Sequence, residues 1–350
     1  MDDAKAVEAF RLAAEKGDAR SQFALGIACS HGIGGLESDR EKAAGYYCLA
    51  AEQGLPDAEY AMGVACHQGD GVAENRAEAA EWFRKAAGHG HAEAARSLAE
   101  MFWSGDGVPL DKKEAARWFR TAAEKGDVSA QSNLGLLCYC GEGVQEDKKA
   151  AEKWFRKAAE KNDAKACYYL SRILFLGEGC EPDREKALEY CRRAAEQGHV
   201  GAQFNLGLMH CVGEGLPVDK ALAARWYEAA AKQGHVEAMF DLGRLYFAGD
   251  GVEKNGKKAL DCFRSAAESG LARAQTLLGA LYEQGRLVEK DRDAAEAWYK
   301  KAAGQGDRKA MKLLKRLLKE KLGSESADTE RSQAEDKSVA KPPEASGADN

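Results

Sequence analysis

Small and apolar residues recur at three- and four-residue spacing along nearly the whole chain, in blocks separated by short glycine-bearing breaks. Residues 202–234, AQFNLGLMHCVGEGLPVDKALAARWYEAAAKQG, show the arrangement: a periodic block, a Gly-Glu-Gly break, then a second periodic block. That period belongs to helices with one apolar face, so each pair of blocks predicts two antiparallel helices, A and B. The chain reads as all-α.

The pairs repeat. Aligned on their first small residue, Gly17, Gly54, Gly90, Gly126, Asn162, Gly198, Gly234, Gly270 and Gly306 fall in register, spaced by 37 residues once and by 36 thereafter. Eight complete units therefore occupy residues 17–305, with a half-unit cap predicted over 1–16 and a capping helix over 306–322. Helix A ends in every unit at a glycine, from Gly32 to Gly285, as a left-handed C-cap requires. A second glycine follows two residues later in seven units, with Leu287 the exception. Asp39, Asp111, Asp147, Asp183, Asp219 and Asp291 stand where helix B needs an N-cap. All eight B helices end in Ala-Ala, from Ala50–Ala51 to Ala302–Ala303, with bulky pairs such as Trp82–Phe83 and Trp226–Tyr227 just upstream. Large against small is the interdigitation a helical stack needs. No single unit can bury such a surface, so the units are expected to stack into one continuous solenoid.

The recurring pattern A-x-x-L-G-x-x-Y-x-x-G-x-G-V…D…A-x-x-W-(F/Y)-x-x-A-A-x-x-G resembles the Sel-1-like repeat, a 36-residue relative of the tetratricopeptide repeat, over residues 1–322. Departures are few: Ala99 and Ser171 replace the mid-helix-A glycine seen at Gly63 and Gly135, and unit one carries an extra residue near Gly35. The resemblance implies a right-handed α/α superhelical solenoid whose A helices line a concave face. It also implies a non-catalytic scaffold or adaptor that binds a partner protein or peptide in that groove. Two other readings stay open: a secreted bacterial effector or envelope protein on the same scaffold, and a β-lactamase-like hydrolase. The hydrolase belongs to a cysteine-rich branch described in Helicobacter, which carries a regular disulfide in each repeat.

Composition narrows the choice. With 65 Ala and 37 Gly in 350 residues, the chain has little bulk for large separate cores, which favours an elongated architecture. A net charge of −6 removes the basic footprint that nucleic-acid binding needs. No stretch approaches the ~18–20 apolar residues of a membrane span, and the N-terminal MDDAKAVEAF lacks the basic and apolar regions of an export signal. A cytoplasmic protein without a membrane span is expected. Of ten cysteines, Cys29, Cys66 and Cys138 share one helix-A position with Tyr246 and Tyr282, and the rest are scattered. Free thiols in a reducing compartment follow, and the disulfide pattern of the cysteine-rich branch is not met.

No residue is assigned a catalytic, cofactor or metal role. The one Ser-x-x-Lys, Ser338 to Lys341, lies in the polar tail over 323–350, which has a single branched aliphatic residue, Val339, and reads as disordered. The Gly-x-Gly breaks follow no strand, and the seven histidines show no metal-ligand spacing. Binding is expected on the A helices. Counting from each unit's first small residue, positions 7, 11 and 14 share one face. The candidate groove comprises Trp103, Tyr139, Phe175 and Phe247 at position 14, Arg172 and Arg244 at position 11, Tyr168 at position 7, and Asn133 and Asn205 at position 8. Aromatics mixed with arginine have the composition of interaction hot spots. Two alternatives stay open: aromatics at position 7, such as Phe204 and Phe240, pack on the neighbouring unit, and position 8 makes ordinary contacts between units.

Overall fold

The computed structural model describes residues 2–321, and every regular element among them is helical. The tail expected to be disordered over 323–350, like Leu322 at the end of the predicted capping helix, lies outside the described residues. The chain forms two compact units, Met1–His199 and Val200–Asn350. The first holds α1 (Asp2–Ala14) and five A–B pairs. These are α2 (Ala19–His31) with α3 (Arg40–Ala51), α4 (Pro56–Gln68) with α5 (Arg76–Gly88), and α6 (Ala92–Ser104) with α7 (Lys112–Glu124). There follow α8 (Val128–Cys140) with α9 (Lys148–Glu160), and α10 (Ala164–Leu176) with α11 (Arg184–Glu196). The second holds α12 (Val200–Val212) with α13 (Lys220–Lys232), α14 (Val236–Ala248) with α15 (Gly256–Glu268), and α16 (Ala272–Gln284) with α17 (Arg292–Gly304). A last helix, α18, covers residues 308–321. Within each unit, every helix through α17 packs on the next. The fold is an all-α solenoid of helix pairs.

The termini behave as the sequence demands. Gly141 ends α8 at φ 71°, and its N–H donates to Leu137 O at 2.9 Å. Asp147 caps α9 by accepting from the Ala150 N–H at 2.9 Å, and Asn75 and Asn255 do the same for α5 and α15. Buried glutamines then reach the open carbonyls at the ends of the B helices: Gln131 Nε2 donates to Ala123 O at 3.1 Å and Gln275 Nε2 to Ala267 O at 2.9 Å.

The core places each large side chain against a missing one. Phe83 faces Gly63, Phe155 faces Gly135, and Tyr227, Phe263 and Tyr299 face Gly207, Gly243 and Gly279; a β-carbon on any of these glycines would come within 2.6–2.8 Å of the ring. This corrects the pairing of Trp-Phe with Ala-Ala. Only the second member of each bulky pair is buried, and in these five units it seats on the A-helix glycine; Phe119, equally buried, has Ala99 at that position. Trp82, Trp154 and Trp298 stay half-exposed under Lys85, Lys157 and Lys301, whose Nζ atoms lie 3.8, 4.4 and 4.3 Å from the rings. The first alanine of every Ala-Ala pair is fully buried. Ser171 is an exchange of volume: its partner in the aromatic position is Cys191, whose thiol it hydrogen-bonds.

A second exchange joins successive pairs. At Gly71, Gly107, Gly143, Gly179 and Gly251 the second glycine of the break lies on the first residue of the preceding helix B, so that a β-carbon on Gly143 would stand 2.0 Å from Lys112 O. That first residue is basic, and as Arg76, Lys112 or Lys220 it pairs with the acid between the two glycines, Asp106 at 2.6 Å, Glu142 at 2.7 Å and Asp250 at 2.6 Å, whereas Lys148 pairs with Glu146 and leaves Glu178 to Tyr139. Leu287 breaks the pattern and yet keeps the left-handed backbone, at φ 65°. Beneath it Gly256, whose β-carbon would meet Leu287 Cδ2 at 2.7 Å, takes the place of the basic residue, and Arg286 takes the place of the acid. All three positions change together.

Candidate interaction surface

Clefts open along the A helices on the predicted positions. In the second unit a cleft of about 560 Å³ is floored by Tyr227, Phe240, Phe247 and Leu277 and rimmed by Lys220, Asp241, Arg244 and Asp250. Leu208, 40% exposed, and Cys211 form its other wall. In the first unit a cleft of about 530 Å³ lies between α2, α3 and α4, and includes Phe23, Tyr60 and Val64. A third, of about 320 Å³, takes in His67, Glu100 and Ser104. The sequence argument used units three to seven only; the same periodicity carried back by 36 or 37 residues reaches Phe23, Tyr60, Val64 and His67.

Position 7 faces the neighbouring pair. Each residue there meets the one 31 positions on, at the start of the next helix A: Tyr60 stacks on His91 at 4.5 Å, Tyr168 on His199 at 4.2 Å, and Phe204 on His235 at 4.5 Å. Arg96 donates to Asp127 at 3.2 Å and Ser132 to Asp163 at 2.8 Å. Several of these partners also cap the next helix: His91, Asp127, Asp163 and His235 accept from the backbone N–H groups of Ala94, Ala130, Ala166 and Ala238. Aromatic goes with His or Leu and polar with Asp, a complementarity present in the sequence at a spacing that only stacking makes meaningful.

Position 14 sits under the basic first residue of helix B. Lys112 Nζ lies 4.8 Å from the Trp103 ring centre, Lys148 Nζ 3.6 Å from that of Tyr139, and the Arg184 guanidinium 5.6 Å from that of Phe175. Tyr139 is also tied to the next pair. Its hydroxyl donates to Glu178 of the next pair at 2.6 Å, and burial, with that bond, pushes its pKa up to about 12. His67 donates likewise to Asp106 at 2.8 Å. Arg172 lies about 6 Å from both Tyr139 and Tyr168. Thus Tyr139, Tyr168 and Arg172 form one contiguous cluster with Phe175 farther along α10. At position 8, Asn133 accepts from Lys165 Nζ at 2.9 Å, a contact between pairs, and Asn205 is half-exposed. Arg244 is the most exposed of the predicted set, its side chain 66% accessible, and Phe247 stands beside it in the second-unit cleft.

None of the ten cysteines forms a disulfide. Burial raises most of them, Cys66, Cys191 and Cys262 to about 11, so they are held as thiols and packed as small apolar groups. The one-disulfide-per-repeat arrangement of the cysteine-rich branch is absent. Among the described residues no group of three or more His, Cys, Asp or Glu side chains is placed to hold a metal ion, and no helix is long and apolar enough to cross a membrane.

Stacked helix pairs of 36 residues, with aromatic-lined clefts along one series of helices, define a repeat scaffold of the α/α class. The family model described as the Sel1 repeat matches eight successive segments, residues 19–55, 56–91, 92–127, 128–163, 164–199, 200–235, 236–271 and 272–307. The chain belongs to the Sel1 repeat family. Its fold is similar to c5321, a protective antigen of uropathogenic Escherichia coli with an SLR fold, at 29% identity and a TM-score of 0.69, covering 99% of this chain and 84% of that one. It is also similar to a Sel1 repeat protein from Oxalobacter formigenes, at 32% identity and a TM-score of 0.68, covering 89% of each chain. Among curated protein sequences none matches the chain. Proteins of this family are generally protein-interaction scaffolds and typically non-catalytic.

Proposed function

We propose that this protein is a cytoplasmic scaffold that takes a segment of a partner protein along its A helices. The observation that carries the reading is the second-unit cleft, where an aromatic floor of Phe240 and Phe247 lies beside an exposed guanidinium, that of Arg244. Such a site fits a peptide with a bulky apolar side chain next to a carboxylate. The ring area is rigid and costs little conformational entropy to present, and the planar donor can pair with a carboxylate in bidentate fashion. Trp103, Tyr139, Arg172 and Phe175 offer the same chemistry in the first unit. Ten cysteines without a disulfide support a reducing compartment.

The partner is first captured by affinity purification, and its binding to variants is then measured by calorimetry. Phe247→Ala with Arg244→Ala, or Trp103→Ala with Phe175→Ala, is expected to remove ~2 kcal/mol or more of binding free energy with the helical circular dichroism intact. Lys153→Glu, on the outer face of α9, is expected to leave binding unchanged. Unaltered affinity in both double variants moves the site elsewhere. The exported-protein alternative draws support from the antigen character of the Escherichia coli relative; secretion of a reporter fusion by the host would favour it over the cytoplasmic reading.

A further inference from the structure

Two arginines beside the second-unit cleft carry charges that no described acid answers. Arg286 stands in the break after α16, in the place that Asp106 and Glu178 take in earlier breaks. Each of those acids reaches back 39 residues to position 14 of the preceding helix A: Asp106 lies 2.8 Å from His67 Nε2, and Glu178 accepts from the Tyr139 hydroxyl at 2.6 Å. Arg286 makes the same reach with the opposite charge. Its guanidinium lies 5.4 Å from the centre of the Phe247 ring. Arg273, in the first turn of α16, lies 4.8 Å from the centre of the Phe240 ring in the same way. Both side chains are exposed, and among the described residues neither takes part in an ion pair.

The charges that rim the cleft itself cancel, since Lys220 pairs with Asp250 at 2.6 Å and Arg244 with Asp241 at 3.2 Å. Arg273 and Arg286 therefore leave this groove with an excess of positive charge, in a chain whose net charge is −6. A guanidinium laid on a ring is held flat and keeps its fork of N–H donors free at the edge, where a carboxylate can meet it. Phe240 and Phe247 are seven residues apart on α14, about 10 Å along the helix axis, so the two forks stand at about that interval. The exposed Arg244 falls between them. An extended segment rises about 3.3 Å per residue. Acids three or four residues apart thus meet the two forks, and a side chain between them drops onto the aromatic floor.

We propose that the second-unit cleft takes a doubly acidic segment of a partner protein: two carboxylates three or four residues apart, one on Arg273 and one on Arg286, with a bulky apolar side chain between them. The proposal rests on the groove reading and adds the charge and spacing of the occupant. The chain's own acidic stretch suits the site less well. Glu325, Asp328 and Glu330 have the spacing, but only Ser326, Ala327 and Thr329 lie between them, and none of these fills an aromatic floor.

The probe is a phage library of random peptides selected on the full chain; the enriched sequence is then made as a fluorescein-labelled peptide and its anisotropy followed on titration with the protein. Enriched sequences are expected to carry two acids three or four residues apart around a large apolar residue. Binding is expected to weaken about tenfold for Arg273→Gln with Arg286→Gln and to be unchanged for Arg225→Gln, an exposed arginine of α13. A selection that yields no sequence overturns the proposal, as do sequences bound equally by the parent and the double arginine variant. If such sequences lose affinity in Phe247→Ala with Arg244→Ala, the groove reading stands without it. Tighter peptide binding by a chain carrying Glu325→Gln, Asp328→Asn and Glu330→Gln assigns the cleft to the chain's own stretch and overturns the proposal. So does a parent chain that sediments as a dimer while the double arginine variant sediments as a monomer, which assigns the cleft to a second copy.

Discussion

Replacing Gly143 by alanine tests the contact on which the stacking of α7 under the α8–α9 turn depends. Gly143 has φ +70°, a conformation that costs an L-residue ~1–2 kcal/mol. Its β-carbon would lie 2.0 Å from Lys112 O and 2.6 Å from Lys112 C. Both are backbone atoms that no rotamer change can move, so the two pairs must separate by more than an ångström, an overpacking worth ~1–3 kcal/mol. Alanine also stiffens the unfolded chain, which returns ~0.4–1 kcal/mol. The expected loss is about 2–4 kcal/mol. Gly126 supplies the matched comparison: its φ is +94°, but a β-carbon there would meet nothing within 4 Å. Gly126→Ala should therefore carry the backbone strain alone, about 1 kcal/mol or less after the same offset. Urea denaturation followed by far-UV circular dichroism ranks the two, and hydrogen exchange should show the loss concentrated in α7 and α8, because repeats couple to nearest neighbours. If the two variants fall within ~0.5 kcal/mol of each other, the close approach contributes nothing and the reasoning fails.

Other perturbations probe different contacts. Cys191→Phe should cost ~1–3 kcal/mol against Ser171 but much less with Ser171→Gly, which recreates the ring-on-glycine seat; additive losses in the double variant would contradict the volume exchange. Ala158→Leu, at a fully buried seam position, should cost ~1–3 kcal/mol, and a denaturation midpoint equal to the parent's would show that the seam has room. His199 is held below its ordinary pKa of 6.5 chiefly by burial against Tyr168, with Asp163 opposing and Lys165 reinforcing that shift. The unfolded chain therefore takes up the proton first, so this contribution is complete above about pH 6.5 and is lost as the pH falls through the lower folded value. His199→Leu, the residue used at the equivalent Leu55 and Leu271, should flatten the fall in urea midpoint between about pH 7.5 and about pH 5.5; parallel pH curves for parent and variant would refute the assignment.

The sequence by itself determined everything set by the 36-residue period. Helix ends at Gly141 and its equivalents, caps at Asp147 and its equivalents, and the buried Ala-Ala seam all depend on residues close in the chain, where backbone geometry and helical periodicity suffice. Leu287 and Asn162, alone among the non-glycine residues described in having positive φ, were also visible as breaks in the alignment. What only the tertiary structure decided are contacts between pairs, at separations of 30, 31 and 39 residues: Lys112 with Glu142, Tyr168 with His199, Tyr139 with Glu178. A helical pattern says which face of α8 is apolar. It does not say whether Tyr139 on that face meets solvent, a ligand or the next turn, because that depends on how far one pair is translated and rotated onto the next. Local physics writes the helices, and the stacking geometry decides which of their aromatic rings are core and which stay exposed.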